Sequence, residues 1–517
     1  MPRIIAIAAG ALILYQWAVA RPLWLDEEML AINVRERGLL DLGGRLSLGQ
    51  AAPYGWLVLE RLAYATFGSG ERSMRVLPLA FGLAAIAAAV WIGHRWMRSI
   101  SACALVLTIG VAQWLTYSYV ELKHYSADVC FGLLLPALAA WSLETDRILV
   151  WWLVAALAQF VANGAIFVAP ACALLIVIAT WRDRSTRAAM VAAAPGVIWL
   201  ALFAVNYVLA LRPAQTSPFL QTFWQLEFPP REAGILGIIR WFGARLAPFA
   251  TKPGGTDAGV LLWVAAAGGF AAACGGRRRL LALAFALVPV SAMALSTAHV
   301  VPFFERLTLW VMPAMFVGVA LLGDADPGWP TYLRGAAIAA ALVIAADVVY
   351  VGLDDLRARP KETHHRLDDR SAVRWLAARE QPGDVWVTTR LALPAIWWYA
   401  PDVRLEADTM PVASGFSRTI LEVGYTEPGP ECDRAAFHGA LDGKRRALVF
   451  FGFRFDDVPT HFDDLLLRKL TERGHIVADR GFGKVSRVVI VDLDLRSRRD
   501  DVPSALGCIS AQPARRW

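Results

Sequence analysis

Charge is sparse in this chain: 18% of its 517 residues are Asp, Glu, Lys or Arg, against 57% hydrophobic residues and a mean hydropathy of +0.46. That balance is too apolar for one soluble domain, and the length is too great for one hydrophobic core. Cysteine is also scarce, with six residues that form no C-x-x-C pair and show no metal-ligand spacing. Cys103, Cys130, Cys172 and Cys274 fall in apolar runs and read as small core residues. Cys432 and Cys508 fall in the polar tail, where a bridge between them is open if that tail is extracytoplasmic. No internal repeat and no low-complexity stretch interrupts the chain before its basic end. The glycine turns "GFGK" (481–484) and "GSGE" (68–71) lack the strand-loop-helix setting of a phosphate loop. His364 and His365 are adjacent, so on a helix they diverge and cannot chelate one ion.

What the chain does have is apolar runs long enough to approach the roughly 30 Å of a bilayer core. They cover Ile4–Ala20, Val76–Gly93, Ile100–Tyr117, Ala127–Leu143, Ile148–Val161, Ala165–Thr180, Ala188–Leu211, Gly259–Cys274, Leu280–Thr297, Leu307–Leu322 and Gly335–Val351. The fold class is therefore a polytopic α-helical membrane protein of about 11 spans. The first run ends in Ala18-Val19-Ala20, which also fits a signal-peptide cleavage site; it reads as a retained first span, and either way Arg21 onward is delivered across the membrane. The formal charge of +7 follows topology rather than nucleic acid, because arginines cluster in the short gaps "HRWMR" (94–98), "WRDRSTR" (181–187) and "GGRRR" (275–279). With those gaps cytoplasmic, the loop over 21–75, the loop over 212–257 and the tail face the other side. In a bacterium this is the periplasmic face of the inner membrane.

The domain expectation is a transmembrane part over residues 1–353 and a periplasmic α/β domain over 354–517. Within the 21–75 loop, "DEEMLAINVRERGLL" and "PYGWLVLERLAYATFG" read as two short interfacial helices, the second opening at Pro53 and closing at Gly68. In the tail, "DVWVTT", "RALVFFGF" and "VSRVVIVDL" read as strands. Helices over Thr363–Glu380, Leu391–Tyr399 and Phe462–Glu472 alternate with them, implying a largely parallel sheet.

Ionisable residues collect at three of the outward gaps. "LWLDEEML" places Asp26, Glu27 and Glu28 where the first span ends, either as caps of the following helix or as functional carboxylates. "YSYVELKHYSADV" (117–129) packs Glu121, Lys123, His124, Tyr125 and Asp128 into one short turn. "VVPFFERLTLWVMP" sets Arg306 at an outward helix start, where it can face phosphate, snorkel, or pair with Glu305. Two acidic mouths and one basic mouth on one face suit a reaction on an anionic lipid headgroup at the bilayer surface.

At these residues the chain resembles the bacterial GT-C glycosyltransferases related to protein O-mannosyltransferases and to the aminoarabinose transferase of lipid A, of glycosyltransferase family 39 type. The resemblance rests on "LWLDEEML", on "QAAPYGWLVLERLAYATFGSGERSMRVLP" (50–78), on "YSYVELKHYSADV" and on "PFFERLTLWVMP". It implies transfer of one sugar from a polyprenyl-phosphate donor to an extracytoplasmic acceptor, with lipid A, another glycan and a protein all left open. It also implies catalytic Asp26 with Glu27 beside it, donor-phosphate binding by Lys123 and Arg306, and second-loop polar residues Glu121, Tyr125 and Asp128. Pro53 and Tyr54 stand at the acceptor entrance, in "AAPY" where relatives often carry a double proline. A divalent cation on Glu27, Glu121 and Asp128 stays open, and no other cofactor is implied. The partners implied are the lipid-linked donor, the acceptor and membrane lipids, without nucleic acid. Two rival classes, a flippase of lipid-linked sugars and a noncatalytic scaffold, predict midplane charges with repeats or no recurrence of acids at two mouths.

Overall fold

A computed structural model describes residues 1–324, 328–358, 366–400, 403–404, 412–413, 419–426, 434–454, 462–494 and 508–511. The chain divides into two compact units: Met1–Ala20 with Leu39–Ala358, and Arg21–Gly38 with the described residues of the tail. Cys432, the Cys508 side chain and the His364-His365 pair lie outside the described residues and side chains.

In the first unit every one of the eleven apolar runs is helical. Among the described residues, eight helices are long and apolar enough to cross a membrane: Pro2–Val19, Ser73–Trp96, Tyr125–Thr145, Asn163–Asp183, Thr186–Gln215, Arg279–Thr297, Glu305–Gly323 and Thr331–Ala358. The other three, Ser99–Val111, Ile148–Ala158 and Val260–Cys274, have 13, 11 and 15 residues. At 1.5 Å per residue they reach only about 17 to 23 Å, short of the hydrocarbon thickness. Ser99–Val111 stops because Ala112 leaves the helical region (φ −55°, ψ 132°) before a second short helix, Gln113–Ser118, begins.

The faces of these helices are sorted as lipid requires. Ile4, Ile7, Leu149, Leu153, Leu157, Ile198, Leu200 and Leu261 are exposed, an arrangement a water-facing bundle would not tolerate. Inner faces approach closely through small residues. A Cβ on Gly269 would overlap the Gly318 carbonyl, so "AGGF" is the crossing point of Val260–Cys274 with Met312–Gly323.

Ion pairs tie the arginine gaps together at one end of this unit. Asp324, buried at 2%, accepts from Arg278 Nη1 at 2.6 Å and from the Arg98 backbone N–H at 3.0 Å. Arg95 reaches Glu144 at 2.7 Å, and Arg184 reaches Asp146 at 2.8 Å. The three gaps read from sequence as one side of the membrane thus share that end.

The second unit is built on a six-stranded sheet of order β6-β7-β5-β1-β4-β8. Its strands are β1 (Val385–Thr389), β4 (Thr419–Thr426), β5 (Arg446–Phe451), β6 (Gly474–Phe482), β7 (Ser486–Leu493) and β8 (Cys508–Ala511); β2 (Val403–Arg404) and β3 (Val412–Ala413) form a separate pair. β1 runs parallel to β4 and β5, and β1 and β5 are mostly apolar because they lie buried in the middle of the sheet. The expectation of a largely parallel sheet fails at the edges. β7 is antiparallel to β5 because β6, absent from the sequence reading, enters first and returns through the "GFGK" turn, where Gly483 has φ 62°. The expected helices appear as Asp369–Ala377, Leu393–Tyr399 and Phe462–Thr471.

Candidate active site

The three acids after the first span open a helix, Leu25–Glu36, that belongs to the second unit. The helix forms because acids fill its positive first turn and Arg35 its negative last turn, and it ends where Arg37 turns extended (φ −95°, ψ 144°). The cap is Trp24, not Asp26. The Glu27 carboxylate reaches back to accept from the Trp24 N–H at 3.3 Å, the returning half of a capping box. Glu27 is therefore buried at 1% while Asp26, one residue earlier, stays half-buried and accessible. Glu28 is 0% exposed, and among the described residues neither carboxylate oxygen has a hydrogen-bond partner. Burial first, then the neighbouring Asp369 and Glu27, holds its pKa well above the carboxylate range.

In the first unit the turn after Gln113–Ser118 carries the second cluster into the interior. Glu121, Lys123, His124 and Asp128 are each exposed by only 4–5%. Lys123 Nζ donates to Gln50 Oε1 at 2.6 Å, joining this turn to the segment before Pro53. Asp128 Oδ1 accepts from the Gly164 N–H at 2.7 Å, so its carboxyl group sits on the N-terminus of the Asn163–Asp183 helix. His124 Nε2 lies 3.0 Å from Asn163 Nδ2 and 3.5 Å from Asp128 Oδ2. Burial, then the Lys123 ammonium, lowers the His124 pKa to about 3, so the ring is neutral at physiological pH. Tyr125 opens the Tyr125–Thr145 helix with its ring 5.0 Å from that of His124.

Gln50 also lines a narrow, partly open cleft, with Arg45, Gly49, Leu209, Ser217 and Leu220. Arg45 is exposed and did not stand out in the sequence, where only its setting in a glycine-rich stretch marks it. Pro53 is the residue before the Tyr54–Phe67 helix, as its ring favours, and that helix closes at Gly68 (φ 85°). Tyr54 Oη donates to the Leu39 carbonyl at 3.2 Å. Within the same helix Glu60 is fully buried, an acid that the sequence reading passed over.

Arg306 lies in a seven-residue 3-10 turn, Glu305–Val311, rather than in the first turn of an α-helix. The tighter turn follows from "PFFER" leaving an extended Phe304 (φ −138°, ψ 133°). Its guanidinium carbon is 6.0 Å from the Trp224 ring centroid, within cation–π range. Trp224 in turn packs 5.1 Å from Phe304, and the Phe303 N–H donates to the Glu227 carbonyl at 2.9 Å. Among the described residues no three His, Cys, Asp or Glu side chains gather as they would to hold a metal ion. Asp128 accepts from the Gly164 N–H through Oδ1 and faces His124 through Oδ2.

Two solved structures share this fold. ArnT from Cupriavidus metallidurans in the apo state superposes with a TM-score of 0.51, and the same protein bound to undecaprenyl phosphate with 0.52. Each is 13% identical in sequence and covers 94% of this chain and 97% of its own. At that identity the likeness is one of fold, and it is the GT-C fold that the sequence resemblance implied. No protein-family profile and no curated protein sequence matches the chain. Eight membrane-capable helices in this fold make the chain a multi-pass membrane protein.

Proposed function

We propose that this protein is an integral-membrane glycosyltransferase that moves one sugar from a polyprenyl-phosphate donor to a hydroxyl of a lipid, glycan or protein acceptor. The observation that carries this reading is the extent of the fold likeness, over 94% of the chain, to a protein whose structure holds undecaprenyl phosphate. The buried ionisable turn supports it, since burying Glu121, Lys123, His124 and Asp128 together at a helix mouth is costly unless the groups are used. The site faces the periplasm of a bacterial inner membrane, opposite the arginine gaps.

The chemistry is a single displacement with inversion. Asp26 accepts the proton of the acceptor hydroxyl as that oxygen bonds to the anomeric carbon. The bond from that carbon to the phosphate oxygen breaks through an oxocarbenium-like state, and its electron pair leaves with the polyprenyl phosphate. Lys123 and Arg306 stabilise the charge that develops on the phosphate, with Lys123 aimed by Gln50. Asp128 and His124 hold the second-loop turn in shape, beside Glu121 and Tyr125. Pro53 and Tyr54 border the acceptor entrance. The C-terminal sheet domain is periplasmic.

Native mass spectrometry of the detergent-released protein with added undecaprenyl phosphate tests the donor class. An adduct of that lipid, lost in Arg306→Ala, is expected, together with loss of sugar transfer in a folded Asp26→Asn variant. Equal binding of ordinary phospholipids to both forms, with no polyprenyl adduct, would sink the reading.

A further inference from the structure

We propose that Tyr399 is a positioning residue for the turn that bears Asp26. This rests on the assignment of Asp26 as the base. The Leu25–Glu36 helix and the Leu393–Tyr399 helix lie in the same unit, and the second holds the first at both ends. At the N-terminal end, Tyr399 Oη accepts from the Leu23 N–H at 2.7 Å, a buried bond between residues 376 apart in sequence. Tyr399 is itself exposed by only 7%. At the C-terminal end, Arg35 Nη2 donates to the Trp397 carbonyl at 3.0 Å, and the guanidinium lies 5.1 Å over the Trp398 ring. Trp24, the cap residue between Leu23 and the helix, packs edge-on to Phe453 at 6.4 Å.

Asp26 is one turn from Leu23 and is the least buried of the three leading acids. Its orientation is set by how the chain enters the helix. The Leu23 amide has left water on entering this contact, so the Tyr399 hydroxyl answers a demand that a packed ring alone would not meet. Tyr399→Phe removes the acceptor and keeps the ring. Displacements of about 1 Å at a reacting group can lower rates about 100-fold, so loss of this anchor should reach turnover without touching donor affinity.

The test uses the full-length protein in nanodiscs of defined phospholipid, as parent, Tyr399→Phe and Asp26→Asn. Undecaprenyl phosphate is the binding probe, hydrogen exchange reads residues 21–36, and turnover is followed with a polyprenyl-phosphate sugar. Expected for Tyr399→Phe are faster exchange over 21–36, kcat lower by about 10-fold to 100-fold, and unchanged undecaprenyl phosphate affinity and donor KM. Unchanged exchange over 21–36, or an undiminished kcat despite faster exchange, overturns the proposal. Normal transfer by Asp26→Asn overturns it together with the base assignment. If the parent transfers no sugar from any polyprenyl donor, the functional reading falls by itself, and local exchange alone decides whether Tyr399 holds the turn.

Discussion

Replacing Asp369 by Asn should change how the second unit responds to pH. Asp369 begins the Asp369–Ala377 helix at 2% exposure and accepts from Ser486 Oγ at 2.6 Å. Burial lifts its pKa from 3.8 to about 7, opposed by the Ser486 hydrogen bond and aided by Asp368. Glu28, fully buried, is raised as well, by burial and then by Asp369. An acid raised in the native state leaves that state holding more protons than the unfolded chain. The stability it contributes is complete below about pH 4 and is lost as pH rises through about 7. The displacement from 3.8 to about 7 corresponds to about 4 kcal/mol for Asp369 alone. Asparagine has nearly the same shape, can accept from Ser486 and carries no charge. Between pH 5 and pH 8 the variant should therefore gain about 3 kcal/mol relative to the parent. Pulse proteolysis in urea, following cleavage within the tail of the full-length protein in detergent, measures both. Parent and variant curves that stay parallel across that range would refute the buried-carboxyl argument.

The first unit should respond in the opposite sense: His124 is held neutral with a pKa near 3, so stability present above pH 6.5 is lost as pH falls toward 3. Between pH 7 and pH 5 the parent should lose about 2 kcal/mol that His124→Gln retains, and equal acid sensitivity in thermal melts of the two would contradict this. Gly269→Val should lower the melting temperature and the yield of monodisperse protein, because overpacking costs about 1–3 kcal/mol or more. Gly268→Ala, whose new carbon would meet only Leu322 at 3.6 Å, should be tolerated; a tolerated Gly269→Val would break the close-crossing account.

The membrane helices were legible because a bilayer demands long apolar runs, and each run became a helix. Their lengths were less legible: Ser99–Val111 stops at Ala112 through a backbone turn that no residue type announces. In the tail the continuous apolar strands β1, β5 and β7 stood out. β6 did not, because its side chains are largely exposed and it is held by pairing with β7 rather than by burial. That omission also reversed the expected direction of β7. In the site, Lys123 and Asp128 were visible as ionisable residues in a turn too short to need them. Gln50, Asn163 and Gly164, which hold them, are polar or small residues that mean nothing until the chain is folded. The pairing of the Leu25–Glu36 helix with the tail was invisible for the same reason, since local pattern carries no record of contacts 376 residues away.

That separation also sets a clock during synthesis. At about 5–20 residues per second, the ribosome makes Tyr399 roughly 20 to 75 s after Leu23. Through that interval the helix with Glu28 and its apolar flank is already made while its permanent partner is not. Something else must shelter it, whether the insertion machinery, a chaperone or the lipid surface. A chain that stops before the tail would never be relieved of that escort, so quality control could recognise an incomplete product by its first loop.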